Sequence, residues 1–260
     1  MDRPTGGGCL LGLPELAGIG QVALAVGVDS VDPSLGDPAV PPPFLSPKER
    51  ATYATLRVAK RRADWLRGRL TLKRLAQRVA RSNEHADLAL EAISVEAAPD
   101  GAPTVTVLDP RRRSLELRSV SLSHSAGVAF CALAAGSTVG VDLELVEPRS
   151  AAFAEDYFTA AEQAQMAACS PSDRPMVVTA LWSAKEAVLK AHRLGLTVDT
   201  RALSCRLERA RRHGWRRFRW TWDTARAVPS GADAEPRALA GYWRQAGRFV
   251  LTVAELGSGP

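Results

Sequence analysis

Short stretches of alternating hydrophobic and polar residues recur along the chain, and each predicts a β-strand. The first is "QVALAVGV". Two more flank Asp100-Gly101 and form a predicted hairpin, because this dipeptide favours a tight turn. Residues 119–146 predict two or three further strands. Towards the C-terminus "GWRRFRWTWD" predicts a strand, and "ALAGYWRQAGRFVLTVAEL" predicts a hairpin that turns near Gln245–Gly247.

Two segments have helical periodicity instead. A proline-rich connection leads to Ser46-Pro47, an N-cap serine followed by proline at the first helical position. The helical pattern then continues to about residue 80, as two helices that break near Val58–Arg62. The second segment covers 151–169 and, after a polar break, a helix over 176–195 that stops at Gly195.

One pattern is repeated between the two helical segments. Trp65, Arg69 and Lys73 are spaced by four residues in the first, and Trp182, Glu186 and Lys190 have the same spacing in the second. Strands follow each helix. The repeat indicates two similar α+β halves.

Two acidic residues lie on one face of the strand predicted at 139–146. Asp142 and Glu144 share one parity of this strand, and the other parity is apolar. Side chains two residues apart project to the same face, so the two carboxylates lie close together. Repulsion and partial burial make each harder to ionise. The pair therefore requires a counter-charge, unless this face is simply solvated.

Glu186 is a candidate third acid. Taken alone, Glu186 and Lys190 form an i,i+4 surface pair that stabilises a helix by about 0.2–0.5 kcal/mol. The apolar flanks of the acidic strand favour another interpretation, in which Asp142, Glu144 and Glu186 bind Mg²⁺. Mg²⁺ takes carboxylate oxygens, water and substrate phosphates as ligands. These acids therefore predict a magnesium site that is open towards a phosphate ligand.

Candidate anion-binding groups occur in two other places. "SLSHSAG" puts Ser123 and His124 at a strand end before a small-residue turn, which suits close approach of an anion. Arg61, Arg62 and Arg69 are close enough in helical phase to converge on one polyanion. A structural histidine and a solvated basic helix face, or a nucleic-acid patch, are the alternatives.

Composition and charge narrow the class of protein without selecting a function. The 260 residues carry a formal charge of +6, so anionic partners are favoured: a phosphorylated cofactor, an acidic protein, nucleic acid or a membrane surface. The four cysteines are scattered, which argues against a zinc site or a disulfide framework. We expect a cytoplasmic protein, since no segment has the length of a membrane span and the N-terminus lacks the order of a signal peptide.

Four motifs in this order, "SLSHSAG", "VGVDLE", "YFTAAEQ" and "LWSAKEAVLKA", resemble those of the 4′-phosphopantetheinyl transferases. The length resembles the Sfp-type subclass, and the resemblance covers roughly residues 44–205. It implies an α+β fold of two halves, residues 1–137 and 138–260, related by a pseudo-two-fold axis. Each half would pack a small, mainly antiparallel sheet on a long helix, with the active site in the cleft between the halves.

The activity implied by this resemblance is transfer of phosphopantetheine from coenzyme A to a serine of an acidic acyl or peptidyl carrier protein. Asp142, Glu144 and Glu186 would bind Mg²⁺ and the diphosphate. Glu186 or a metal-bound water would take the serine proton, and Lys190 would assist the departing 3′,5′-ADP. His124 would contact the 3′-phosphate of coenzyme A, with Ser123 beside it. The residues that would contact the cofactor are Arg61, Arg62, Arg69, Ser123, His124, Glu162 and Lys185.

The sequence departs from the family at one visible position. Many members carry Gly-Lys-Pro where this chain has Gly101-Ala102-Pro103, so a phosphate-contacting lysine is absent. We expect a monomer that binds neither nucleic acid nor membrane. One alternative function is another Mg²⁺-dependent phosphoester or nucleotide enzyme that uses the same three acids. A second is a non-enzymatic nucleic-acid-binding protein, for which charge is the main argument.

Overall fold

The computed structural model describes residues 22–28, 40–82, 88–108, 119–208, 214–223 and 238–257. The helices in these ranges are α1 (Pro47–Thr55), α2 (Ala59–Ser82), α3 (Ala151–Tyr157), α4 (Ala160–Ala167) and α5 (Arg174–Ala191). The strands are β1 (Val22–Val28), β2 (Ile93–Ala97), β3 (Pro103–Val107), β4 (Ser119–Ser125), β5 (Val128–Ala134), β6 (Ser137–Leu145), β7 (Leu203–Leu207), β8 (Arg216–Trp222), β9 (Ala238–Ala246) and β10 (Phe249–Gly257).

These strands form antiparallel sheets against which the two long helices pack. One sheet has the order β1-β5-β4, a larger one the order β6-β10-β9-β8-β7, and β2 pairs with β3. Helix α2 packs on β5 and β1, and α5 packs on β6 and β10. The chain therefore mixes helices with antiparallel sheet, as the sequence predicts.

Most predicted elements occur where the pattern placed them. The Ser46 hydroxyl accepts the Glu49 N–H and the Glu49 carboxylate accepts the Ser46 N–H, so α1 begins with a capping box. The predicted helix break separates α1 from α2, and Gly101 turns the β2–β3 hairpin with φ 83°. Residues 29–39 of the predicted proline-rich connection lie outside the described residues.

The structure differs from the predicted elements, or adds to them, in three places. Residues 151–169 are helical as predicted, in two short helices that Thr159 separates as the N-cap of α4. Helix α5 ends at Ala191, before Gly195, and Arg193 takes the left-handed conformation that follows it. Strand β7 was not predicted, although "LSCRL" alternates, and with five residues the strand is short.

One set of buried contacts occurs twice in the chain. In the first copy Lys73 forms a salt bridge with Glu49, both fully buried, and donates to the carbonyl oxygens of Phe44 and Leu90. Glu49 also accepts the N–H of Val95 in β2. Each of these polar groups thus has a partner, which burial requires.

The second copy has the same connections around Lys185. This lysine forms a salt bridge with Glu162 and donates to the carbonyl oxygens of Thr200 and Leu203. Glu162 accepts the N–H of Cys205 in β7 and closes the capping box of α4, as Glu49 does for α1. By its contacts Lys73 therefore corresponds to Lys185, whereas the sequence pattern paired it with Lys190.

No helix in the described ranges is both long enough and apolar enough to cross a membrane.

Candidate active site

Serine side chains join β4 to β6, although the two strands belong to different sheets. The hydroxyls of Ser119 and Ser121 accept hydrogen bonds from the backbone N–H groups of Val139 and Val141, each at 2.9 Å. These hydroxyl oxygens accept the hydrogen bonds that backbone carbonyl oxygens would accept between paired β-strands. The alternating serines of β4 thereby fix the edge of one sheet against the acidic strand of the other.

Gly140 allows α5 to lie directly against β6. A Cβ at this position would overlap the Ala187 carbonyl oxygen and the Ala191 nitrogen, both backbone atoms of α5. Only glycine avoids these overlaps without moving the helix. The close approach brings Glu186 and Lys190 of α5 beside the acidic strand.

Two buried hydroxyls hold the same helix and strand in register. Thr252 of β10 is the cross-strand partner of Asp142. Its hydroxyl donates to the Ser183 carbonyl oxygen at 2.8 Å and lies 2.8 Å from the Ser183 hydroxyl. Ser183 lies about one turn before Glu186. The hydroxyl pair therefore links the element that carries Asp142 to the element that carries Glu186.

Asp142 is 3 % exposed, and the described residues supply hydrogen-bond partners to one of its two carboxylate oxygens. Its Oδ1 accepts from Lys190 Nζ at 2.7 Å and from Ser123 Oγ at 2.8 Å, and Lys190 also donates to Ser123 at 3.2 Å. Its Oδ2 is buried without a hydrogen-bond partner among the described residues. An unpaired buried carboxylate oxygen is costly, which marks this point as a position for a cation or a donor.

The other two acids have raised pKa values. Burial, reinforced by the charge of Asp142, raises the pKa of Glu144 to about 7 against the opposing effect of Arg149 and Lys190. Burial also raises the pKa of Glu186, with Lys190 opposing and Asp142 reinforcing the shift. The Oε1 atom of Glu186 is buried without a partner in the described part of the chain. The site thus holds more acidic groups than its own cations neutralise.

The three carboxylates suit Mg²⁺ in chemistry, but they are not yet in coordinating positions. Across the described ranges no three acidic, histidine or cysteine side chains lie close enough to hold a metal together. The unsatisfied Asp142 Oδ2 and Glu186 Oε1 are nonetheless hard oxygen donors of the type that Mg²⁺ prefers. Glu144 lies 3.6 Å from an Arg149 nitrogen. The acids would have to converge to bind the ion.

Lys185 and Glu162 lie away from the carboxylate cluster. Both side chains have no exposed surface, and their charges are paired with each other inside the second copy of the repeated contacts. The carbonyl oxygens of Thr200 and Leu203 take two further hydrogen bonds from the lysine. The two side chains are thus buried and paired with each other, and their expected contact with the cofactor stays a prediction.

The three arginines of α2 have different surroundings. Arg62 donates to the carbonyl oxygens of Leu56 and Arg57, at 2.9 and 2.8 Å, and so closes the turn between α1 and α2. Arg61 is exposed. Arg69 stacks on Trp65 at 3.7 Å from its ring centroid, and burial lowers its pKa to about 10 although Glu49 opposes this. The Arg62 guanidinium is therefore already bound to backbone carbonyl oxygens.

Ser123 and His124 occupy opposite faces of β4. Ser123 is buried against Asp142, whereas His124 is exposed on the face that also carries Leu122, a residue in contact with Gly68 of α2. The structure therefore brings together Ser123, Asp142, Glu144, Glu186 and Lys190, and leaves His124 on the α2 side.

Sequence reasoning missed several residues that build the site. The serine alternation in "SVSLSHS" was a visible signal for Ser119 and Ser121, and Gly140 within an apolar strand was a signal for close approach. Nothing local in the sequence marks Thr252 or Ser183, because their pairing joins residues 69 positions apart.

A cavity of about 640 Å³ opens beside Lys190. It lies between the β2–β3 turn, the start of β4, the β5–β6 turn and the C-terminal end of α5. Its walls include Ala102, Ser121, Thr138, Lys190 and Arg193. The cluster around Asp142 is therefore next to a space large enough for a small organic ligand.

Residues 138–224 match the family model of the 4′-phosphopantetheinyl transferase superfamily. This segment is about a third of the chain and contains the three acids and Lys190, but not Ser123 or helix α2. No curated protein matches the chain.

Among solved structures, the chain is similar to a crystal structure of holo-acyl-carrier-protein synthase from Thermotoga maritima. The two are 16% identical with a TM-score of 0.35, over 47% of this chain and 65% of that one. The chain thus spans less than two thirds of the length of this structure, and a likeness this partial adds nothing to the assignment of the site.

Proposed function

We propose that the protein is a 4′-phosphopantetheinyl transferase that moves phosphopantetheine from coenzyme A to a serine of an acyl or peptidyl carrier protein. The products are the holo-carrier and 3′,5′-ADP. The observation that carries this proposal is the buried Asp142, whose free Oδ2 lies in a cluster with Glu144 and Glu186 inside the segment that matches the superfamily. Such a cluster attracts a cation that can in turn bind phosphate.

Asp142, Glu144 and Glu186 would hold Mg²⁺, with Asp142 Oδ2 and Glu186 Oε1 as the oxygens that no described residue hydrogen-bonds. The bound ion would neutralise charge on the diphosphate and orient it, which is most of what phosphoryl transfer requires. Ser123 keeps Asp142 fixed through its 2.8 Å hydrogen bond. These residues thus form the part of the site that positions the diphosphate.

The transfer itself breaks the bond between the phosphopantetheine phosphorus and the bridging oxygen of the diphosphate, and forms a bond from that phosphorus to the serine oxygen. Glu186, whose pKa is raised by burial, would accept the serine proton. Lys190 contacts Asp142 at 2.7 Å and can donate to the departing phosphate of 3′,5′-ADP. Arg61, Arg69 and His124 are the proposed contacts for the remaining phosphate charges.

We further propose that the chain consists of two related halves, residues 1–137 and 138–260, as in the Sfp-type subclass. The repeated contacts around Lys73 and Lys185 support this, since each couples a helix cap, a long helix and the following strand in the same way. The net charge of +6 suits an acidic carrier as partner. A monomeric cytoplasmic enzyme is the form in which we propose it acts.

The matched variants Asp142→Asn and Glu255→Gln test the function. Glu255 is also a buried carboxylate bonded to a serine, Ser137 at 2.7 Å, but it lies outside the cluster. We expect 3′,5′-ADP formation from coenzyme A to require both Mg²⁺ and an apo-carrier, and to fall about 100-fold or more in Asp142→Asn while Glu255→Gln retains it. Phosphate release that needs no carrier would identify a phosphohydrolase instead.

A further inference from the structure

Arg193 has an unusual backbone for an arginine. It lies just after α5 with φ 59°, a left-handed conformation in which a Cβ is unfavourable. Ala126 is the other non-glycine residue with positive φ in the described ranges. At Arg193 it is a common form of helix end, because the N–H groups of Leu194 and Arg193 donate to the carbonyl oxygens of Leu189 and Lys190 and so close α5.

The Arg193 side chain forms a bidentate ion pair with Asp100. The arginine Nε lies 2.6 Å from Asp100 Oδ2, and its Nη2 lies 2.8 Å from Oδ1. Asp100 also accepts the N–H of Ala102 at 3.1 Å, which fixes the β2–β3 turn. The guanidinium is thereby oriented from a turn 93 residues away in the sequence.

Part of the guanidinium remains available for a ligand. Asp100 uses Nε and Nη2, whereas a guanidinium has five N–H donors, so the Nη1 donors are not used by this pair. The Arg193 side chain is about half exposed and lines the cavity beside Lys190. The adjacent turn carries Ala102 and so offers no cation of its own.

Coenzyme A carries two separate groups of phosphates. Its diphosphate belongs at the carboxylates and Lys190 in the function proposed above, and its ribose phosphomonoester, a dianion, requires a cation elsewhere in the site. Arg193 lies three residues beyond Lys190 and lines the same cavity. A planar guanidinium binds phosphate through paired hydrogen bonds, which makes arginine well suited to a terminal phosphate.

We propose that Arg193 binds the ribose phosphomonoester of coenzyme A and that Asp100 positions the arginine for it. The inference rests on the proposed function, since that function supplies the ligand. It adds Arg193 to the phosphate contacts proposed above, as a residue that distinguishes coenzyme A from its dephosphorylated form.

Binding of 3′,5′-ADP and of 5′-AMP to the full chain, measured by calorimetry, tests the proposal without a carrier. The variant Arg193→Gly removes the guanidinium and suits the left-handed backbone, so it is expected to fold. We expect it to weaken 3′,5′-ADP binding roughly tenfold and to leave 5′-AMP binding unchanged. Arg201→Gly is the matched control, because Arg201 forms a similar exposed pair with Asp199 but does not line the cavity.

An equal loss for both nucleotides, or no loss for either, would overturn the assignment. Asp100→Asn should weaken 3′,5′-ADP binding several-fold, with no change in 5′-AMP binding. Arg193→Lys gives a second test that keeps the charge but loses the paired geometry, and unchanged 3′,5′-ADP affinity in this variant would also contradict the proposal. Failure of the transferase function would have a different result: the 3′,5′-ADP preference would persist while no carrier is modified.

Discussion

Replacing Lys185 by methionine separates a structural role from a cofactor-binding role. The lysine ammonium is fully buried, pairs with Glu162 at 2.8 Å and donates to two backbone carbonyl oxygens. Methionine has a similar length but no charge and no donor. Lys185→Met therefore leaves the Glu162 carboxylate as a buried charge without its cation, although the N–H groups of Thr159 and Cys205 still donate to it.

The expected cost follows from that uncompensated charge. Removing one member of a buried ion pair destabilises a protein by about 3–5 kcal/mol. For a chain of this size 1 kcal/mol corresponds to about 2–4 °C in Tm, so Lys185→Met should lower Tm by about 6–20 °C. The second substitution Glu162→Gln removes the remaining charge and should recover part of this loss. Lys73→Met, at the corresponding position of the first copy, should have an effect of similar size.

Urea and thermal unfolding of these variants, with the KM for coenzyme A measured below the unfolding transition, provide the assay. We expect a large loss of stability with little change in KM. A Lys185→Met variant that unfolds like the wild type but has a much higher KM for coenzyme A would refute the structural role. It would support the cofactor contact implied by the family resemblance.

Two further predictions concern the acidic strand. Gly140→Ala should lower both stability and transferase activity, because the added Cβ would overlap backbone atoms of α5. Gly101→Ala is the control, since its Cβ would meet no neighbouring atom and its only cost is backbone strain. Equal effects of the two substitutions, in circular dichroism melts and in transfer rates, would contradict the predicted clash. The pKa of Glu144 is about 7 in the folded protein, above its usual 4.5, so the folded state binds more protons between these values. Without added metal, the free energy of unfolding should therefore fall as pH rises from about 4.5 to 7. Glu144→Gln should reduce this dependence on pH in thermal melts taken across that range. The same pH dependence in the variant and the wild type would contradict the raised pKa of Glu144.

The central acids could be predicted from sequence because alternation assigns faces reliably. Asp142 and Glu144 face away from the apolar side of β6, and Val139, Val141 and Leu143 are buried on it. The pattern also contained the signal that Glu162 has a structural role, since Thr159 and Glu162 have the spacing of a capping box. The resemblance to a cofactor-binding motif outweighed this local signal.

Other features depend on contacts between residues far apart in the chain and could not be predicted from the sequence. Lys185 and Lys190 belong to the same helical motif, "LWSAKEAVLKA", but their side chains have different surroundings. Lys185 is enclosed by β7 and the short turn before it, whereas Lys190 contacts Asp142. The ion pair of Arg193 with Asp100 joins residues 93 positions apart, and the pairing of β4 with β6 depends on serine hydroxyls rather than a backbone ladder. Long-range packing of this kind has no local sequence signature.

The intact mass of an apo-carrier protein, after incubation with the protein, coenzyme A and Mg²⁺, tests the central claim most directly. In a small panel of acyl and peptidyl carriers, at least one should gain the mass of a single phosphopantetheine. Peptide mapping should locate the added group on the acceptor serine of that carrier. The gain should disappear without Mg²⁺ and in Asp142→Asn. Unchanged masses across the panel, with folded protein that binds coenzyme A, would contradict the transferase assignment.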